Sequence, residues 1–275
     1  MSRRIIDFAK ITRAKQLRLA NTGDFHADLL RAIDPTNKVK RYGRTWRFSK
    51  PAGGDREFIL GKLGFTHEGE EARTDYDEDA QDFITAVAPA RQTFFSHFVA
   101  DSGTEVIAFE ERGRLIRRKS FLAAFEGLLV EADFEATVDV LTDPAALQEW
   151  AKTVDRVVSL RAFVKNPNPG WVRDAGAIRQ FVEETDAATA AVTVKAAEGA
   201  GINVTAPWVG GALQQISEEG QGSMSAIGIR QDGHEDRWTN GQRPRTDSLE
   251  EDPTDDSDTI WQRLIGRLRA NFHDR

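Results

Sequence analysis

FFSHFVADSGTEVIAFEERGRLIRRKSFLAAFEGLL, residues 94–129, is the stretch whose reading decides the fold class. Phe94–Val99 and Glu105–Glu110 are short apolar runs on either side of Asp101-Ser102-Gly103, a turn cluster, and read as two strands of a hairpin. The period then changes. From Ser120 onward, Phe121, Leu122, Phe125, Leu128 and Leu129 fall on one stripe of a helix. Strands joined by a tight turn and followed by a helix indicate α+β, with largely antiparallel sheets.

Working outward, Ile5–Ile11 reads as a strand and Asp24–Ala32 as a short helix with Phe25, Leu29 and Ile33 on one side. Lys38–Lys50, KVKRYGRTWRFSK, is the clearest β segment. Alternation puts Tyr42, Arg44, Trp46 and Phe48 on one face, with Arg41, Thr45, Arg47 and Ser49 on the other. A turn at Pro51–Asp55 leads to a strand at Glu57–Leu60, and the acidic stretch 66–82 reads as a solvated loop and helix start. These elements are expected to close a first domain over residues 1–131.

Residues 132–245 read as a second α/β domain. It has a strand at Phe134–Val140, a helix opened by Asp143-Pro144, and a strand at Val157–Lys165 that stops at Asn166–Gly170. Strand, helix, strand implies a right-handed crossover if the strands are parallel. A helix around Ile178, Phe181 and Val182, a strand at Ala191–Lys195 and a helix around Leu213 and Ile216 follow. Asp232-Gly233 then marks a hairpin between Met224–Arg230 and Glu235–Thr239. Residues 246–258 hold seven acidic and no basic residues and read as a linker. Residues 259–275 form an amphipathic helix whose stripe, Trp261, Leu264, Ile265, Leu268 and Phe272, offers a dimer interface or a surface that docks on its own domain.

Composition narrows the function. The absence of cysteine removes thiol nucleophiles, disulfides and Cys-based metal sites, and suits a reducing compartment. No signal peptide or membrane span is legible, so a cytoplasmic protein without direct membrane insertion is expected. Net charge is −7, but it is unevenly distributed. Residues 1–62 carry fifteen Lys/Arg against six Asp/Glu, and residues 63–111 carry two against twelve. Arg112, Arg114, Arg117, Arg118 and Lys119 then crowd into eight positions. Such blocks either neutralise each other or build a basic surface on an acidic protein.

The five histidines are scattered without metal spacing, and His97, alternating with Phe95, reads as structural. No nucleophile elbow, P-loop or dinucleotide fingerprint occurs, so no catalytic residue, metal or cofactor is assigned and a non-enzyme is expected. One alternative is a metal-dependent nuclease or toxin using Asp75, Asp77, Glu78, Asp79, Asp82, Glu105, Glu110 and Glu111, although no Asp…Glu-x-Lys pattern accompanies them. The other is a purely protein-binding regulator.

Nucleic acid has better material. Lys38, Lys40, Arg41, Arg44, Arg47 and Lys50 surround the aromatics of the hairpin, with Arg41 and Arg47 expected opposite them and facing phosphates. Arg112, Arg114, Arg117, Arg118 and Lys119 lie before a helix whose N-terminus favours phosphate. No base-reading motif is present, so the expected ligand is double-stranded DNA bound nonspecifically.

The order YGRTWRFSK, FFSHFVADSGTEVIAFEERG, SFLAAFEGLL, VVSLRAFVKNPNPG, VTVKAAEGAG and a charged terminal helix resembles the Rex-type phage exclusion proteins, specifically the RexA-like cytosolic component encoded by temperate phages. The resemblance covers most of the chain through element order and short hydrophobic patterns. It implies a dimeric, DNA-binding intracellular sensor of superinfection that acts with a separate RexB-type membrane partner. It transfers no catalytic residue.

Overall fold

In a computed structural model, residues 3–13, 24–52, 56–77, 82–143, 145–165, 189–219, 222–240, 244–250, 252 and 254–273 are described. The expected helix around residues 178–182 and the 166–170 turn lie outside them.

The first sheet is built from β1 (Arg3–Arg13), β2 (Val39–Arg41), β3 (Arg44–Phe48), β4 (Phe58–Asp77), β5 (Asp82–Asp101), β6 (Val106–Glu110), β7 (Ala136–Val140) and β12 (Thr246–Glu250). Its order is β12–β1–β6–β5–β4–β3–β2, with β7 sharing the β12 edge of β1, and the pairings are antiparallel. Register fixes the faces. Ala9, Ile107, Phe109, Phe98, Phe65, Trp46 and Phe48 point to one side and pack against α1 (Phe25–Ala32) and α2 (Arg118–Glu131). Ile6, Phe8, Ala108, Val99 and Leu60 point to the other side, under α5 (Ser257–Phe272). Both faces are apolar, so each needs a helical cover.

Local signals explain the covers. Asp24 caps α1 by accepting from the His26 N–H, and Asp256 caps α5 by accepting from the Thr259 N–H at 2.8 Å. Phe121, Phe125, Leu128 and Leu129 bury one stripe of α2, and Ile260, Trp261, Leu264, Ile265 and Leu268 bury one of α5. The terminal stripe is therefore covered by its own sheet and is not a free dimer interface; Phe272, half-buried, meets Phe8 edge-on at 5.4 Å.

The second sheet, in the order β11 (Glu235–Thr239), β10 (Gly222–Ile229), β8 (Arg156–Lys165), β9 (Thr189–Lys195), is also antiparallel. The right-handed parallel crossover therefore does not arise. α3 (Ala146–Ala151) and α4 (Pro207–Glu219) cover it through Leu147, Trp150, Val209, Leu213 and Ile216.

The domain boundaries also move. Residues 136–140 and 246–250, expected in a second domain and an acidic linker, are strands on β1. The second sheet is thus inserted between β7 and β12. Its entry and exit are clamped where the Arg245 N–H donates to Leu141 O at 2.7 Å and Thr142 bridges Pro244. Short β12 is not legible in the sequence because its acidic side chains outweigh one buried Leu249. Residues 66–77, read as a loop, continue β4.

Gly61 shows how closely the layers approach. It pairs with Phe98, and a Cβ on it would come within 2.4 Å of the Phe98 ring, while its carbonyl accepts from Trp261 Nε1–H at 3.2 Å. Gly61→Ala should therefore lower stability by about 1–3 kcal/mol, read as a reduced urea midpoint at unchanged slope. An unchanged midpoint would mean that the ring has room to move.

Candidate nucleic-acid interface

The β2–β3 connection is a two-residue turn, Tyr42-Gly43, with φ of 51° and 73°. Positive φ at both positions gives the turn the twist of its flanking strands. It pairs Arg41 with Arg44 and Val39 with Trp46. Directly paired residues share a face, so Arg41 lies on the α2 side with Trp46, not opposite the aromatics as alternation through the turn implied. Its guanidinium reaches the space a side chain at Gly127 would fill. Tyr42 sits at the exposed tip instead of in the core. Arg44 donates to Leu115 O at 2.6 Å and stacks 4.2 Å from the Phe65 ring centre. This contact brings the two basic blocks of the sequence together.

The opposite face forms a groove of about 800 Å³. Lys38, Lys40, Arg47 and Lys62 line it with Phe95, Thr45, Thr66 and Thr93, Arg44 also lines it from the α2 side, and none of the described lining residues is acidic. Lys38, Lys40, Arg47 and Lys50 are exposed, and none of these four or Lys62 is in an ion pair among the described residues. Lys62 lies 5.0 Å above the Phe95 ring and 5.6 Å from Trp261, which marks the boundary where α5 begins. Lys62 and Phe95 were missed in the sequence because nothing local shows that β6 stops at Glu110 while β4 and β5 run on.

Next to the groove is a buried ionic cluster. Glu110 is 1% exposed and accepts from the His97 N–H at 3.1 Å, His97 Nδ1–H at 2.6 Å, Arg4 Nη1–H at 2.9 Å and Arg112 Nε–H at 3.0 Å. His97 Nε2 lies 3.0 Å from the Ser257 hydroxyl at the start of α5. Burial alone would push the Glu110 carboxyl up, but His97 and then Arg112 outweigh it and hold it at about 2. Arg112, which also lies over Phe95, is thus engaged by a carboxylate.

The second basic block divides. Arg114, Arg117 and Lys119 are exposed and unpaired among the described residues. Arg118 is tied to Asp7 at 3.3 Å, and its N–H donates to Glu111 Oε1 at 2.7 Å. The α2 N-terminus is therefore already capped by a carboxylate and not open to phosphate. Asp7 is fully buried beside Glu111. Burial first, and then the Glu111 charge, push its carboxyl up to about 7 against the opposing Arg118.

No group of three or more potential metal ligands occurs among the described residues. Glu78 and Asp79 lie outside them, as do the side chains of Asp75, Asp77 and Asp82. Among the described residues no helix is long and apolar enough to cross a membrane. No protein-family model and no curated protein matches this chain.

Two pH effects of opposite sign follow. Glu110 is depressed below its ordinary value of 4.5, so its contribution is complete above 4.5 and is lost as pH falls toward about 2. Glu110→Gln should remove that acid-side slope and cost about 3 kcal/mol at neutral pH, measured by urea unfolding across the range. Asp7 is raised, so the folded state holds the extra proton and stability declines as pH rises from 3.8 toward about 7. Asp7→Asn should flatten that decline; a parallel curve would disprove the assignment.

Proposed function

We propose that this chain binds double-stranded DNA through its phosphates, without reading sequence, and that it does so as the cytoplasmic sensor of a phage exclusion system. The observation that carries the DNA reading is the groove, where five Lys/Arg and, among the described residues, no Asp/Glu line one end of a sheet in a protein of net charge −7. Segregation of this kind concentrates positive potential where a polyanion can reach it. Arg114, Arg117 and Lys119 extend the basic surface around the sheet end, beside the Arg44–Leu115 contact. Such side chains supply affinity and orientation, and sequence selectivity would need base-edge contacts. The exclusion role, a homodimer and a RexB-type membrane partner rest on the resemblance of the element order to Rex-type proteins.

A labelled random-sequence duplex titrated at several salt concentrations tests the reading. Binding should weaken steeply with salt, and the DNA should stay intact with magnesium present. Lys40→Ala, Arg47→Ala and Lys62→Ala should each flatten the slope of log affinity against log salt by about one. No binding at low salt, or cleavage on adding magnesium, would overturn it.

A further inference from the structure

The His97 ring uses both of its nitrogens. Nδ1 lies 2.6 Å from Glu110 Oε1, and Nε2 lies 3.0 Å from Ser257 Oγ. Glu110 is ionised and can only accept, so Nδ1 carries a proton, and the neutral ring turns the lone pair of Nε2 toward the Ser257 hydroxyl. Phe95 and Trp261 hold the imidazole edge-on, at 5.3 and 5.7 Å between ring centres. Hydroxyl, base and the carboxylate that orients the base form the constellation of an activated serine, which is recognised by geometry and roles. Its members come from β5, β6 and α5, with His97 and Ser257 160 positions apart, so no local motif marks them.

The surroundings of Ser257 suit a nucleophile. It is the first residue of α5 and is half-buried, whereas His97 and Glu110 are buried, so the hydroxyl end of the relay is the one that meets solvent. Asp256 takes the Thr259 N–H with its side chain and the Ile260 N–H with its carbonyl. No described residue accepts from the N–H of Ser257 or Asp258. These two donors flank the hydroxyl at the positive end of a sixteen-residue helix, where an oxyanion forming on a carbonyl bound to Oγ would be stabilised. Of the neighbouring carboxylates, Asp255 is paired with Arg263 at 2.6 Å and Asp256 is engaged by its cap. Beside His97, Phe95 is 37% exposed and the Lys62 ammonium lies 5.0 Å above its ring. An aromatic plate with a cation over it selects a flat group that carries an anion.

We propose that Ser257, His97 and Glu110 form an acyl-transfer site for carboxylic esters whose leaving group is aromatic and anionic, with Phe95 and Lys62 recognising that group. Ser257 Oγ bonds to the ester carbon as its proton passes to His97 Nε2. The carbon–oxygen bond to the leaving group then breaks, and that oxygen takes the proton from His97. Water repeats the sequence on the acyl-serine, giving its proton to His97 and its oxygen to the released acid, and Ser257 regains its hydroxyl. Ser257 and His97 are the catalytic residues, and Glu110 is a positioning residue. The proposal does not rest on the nucleic-acid reading and is tested without DNA.

The full chain incubated with a fluorophosphonate should gain one adduct, mapped to Ser257 by mass spectrometry, and Ser257→Ala should gain none. The chain should hydrolyse 5-acetoxy-2-nitrobenzoate with a kcat/KM several-fold above that for 4-nitrophenyl acetate, each corrected for its spontaneous rate. Ser257→Ala should lower both values by about a hundredfold or more. Lys62→Met should bring their ratio toward one, and Glu110→Gln, shown to be folded by its unfolding curve, should lower kcat while KM holds. Because the chain has no cysteine, Ser257→Cys introduces a single thiol whose alkylation by iodoacetamide reports the base directly. It should react about tenfold or more faster than the thiol of Asp258→Cys, which shares the helix end but not His97, and His97→Gln should abolish the difference. No adduct, an adduct that persists in Ser257→Ala, ester hydrolysis unchanged in that variant, or equal alkylation of the two thiols would overturn the site. A ratio that survives Lys62→Met would overturn the choice of an anionic ester.

Discussion

The Glu110 carboxylate, buried beneath α5 and satisfied by Arg4, His97 and Arg112, determines where the main elements meet. It joins β1, β5 and β6 at one point. Through His97 and Ser257 it also fixes the residue at which the C-terminal helix begins to cover the sheet. A buried charge is tolerated only when its partners are held in place, so these contacts stand or fall together. From His97 inward, the face carries Val99, Ala108, Ile6 and Phe8 under the helix. Past His97 the same face carries Phe95, Lys62, Arg47 and Lys40, and no described helix covers it. The groove is the part of the sheet the helix does not reach.

Charge follows the same division. Acidic residues near the basic segments have particular cations to hold. Asp7 and Glu111 hold Arg118 and the α2 N-terminus, Glu110 holds Arg4 and Arg112, and Asp28 and Glu105 flank Arg13. Both readings of the basic blocks are thus partly realised. Some cations are neutralised internally, while the strand residues of the groove and the exposed members of the 112–119 segment have no ion pair among the described residues.

The chain's own pattern gave the hairpin–helix unit at 94–129, the antiparallel habit and the amphipathic terminal helix, because these rest on local periodicity and turn chemistry that need no distant residue. Positive-φ turns were readable only in part. Asp232-Gly233 is legible as a turn, but Tyr42-Gly43 reads as strand, since tyrosine is rarely found at positive φ. That one turn reversed the face assigned to Arg41. The stripe of α5 was visible, but whether it met a second copy or its own sheet was undecided until Leu264 and Leu268 were placed among Phe8, Leu60 and Val99.

The sequence by itself determined most of the strands and helices of the described residues, though not β12 or the outer half of β4, that cysteine chemistry is absent, and that positive charge is concentrated in two blocks. Tertiary structure alone decided that strands at 136–140 and 246–250 complete the first sheet, that the second sheet is an insertion, and that Lys62 and Phe95 join residues some twenty to fifty positions away. The physical reason is that strand pairing and helix cover are choices among distant partners. A residue's period shows which neighbours share its face, but not which strand lies beside it or where a covering helix ends.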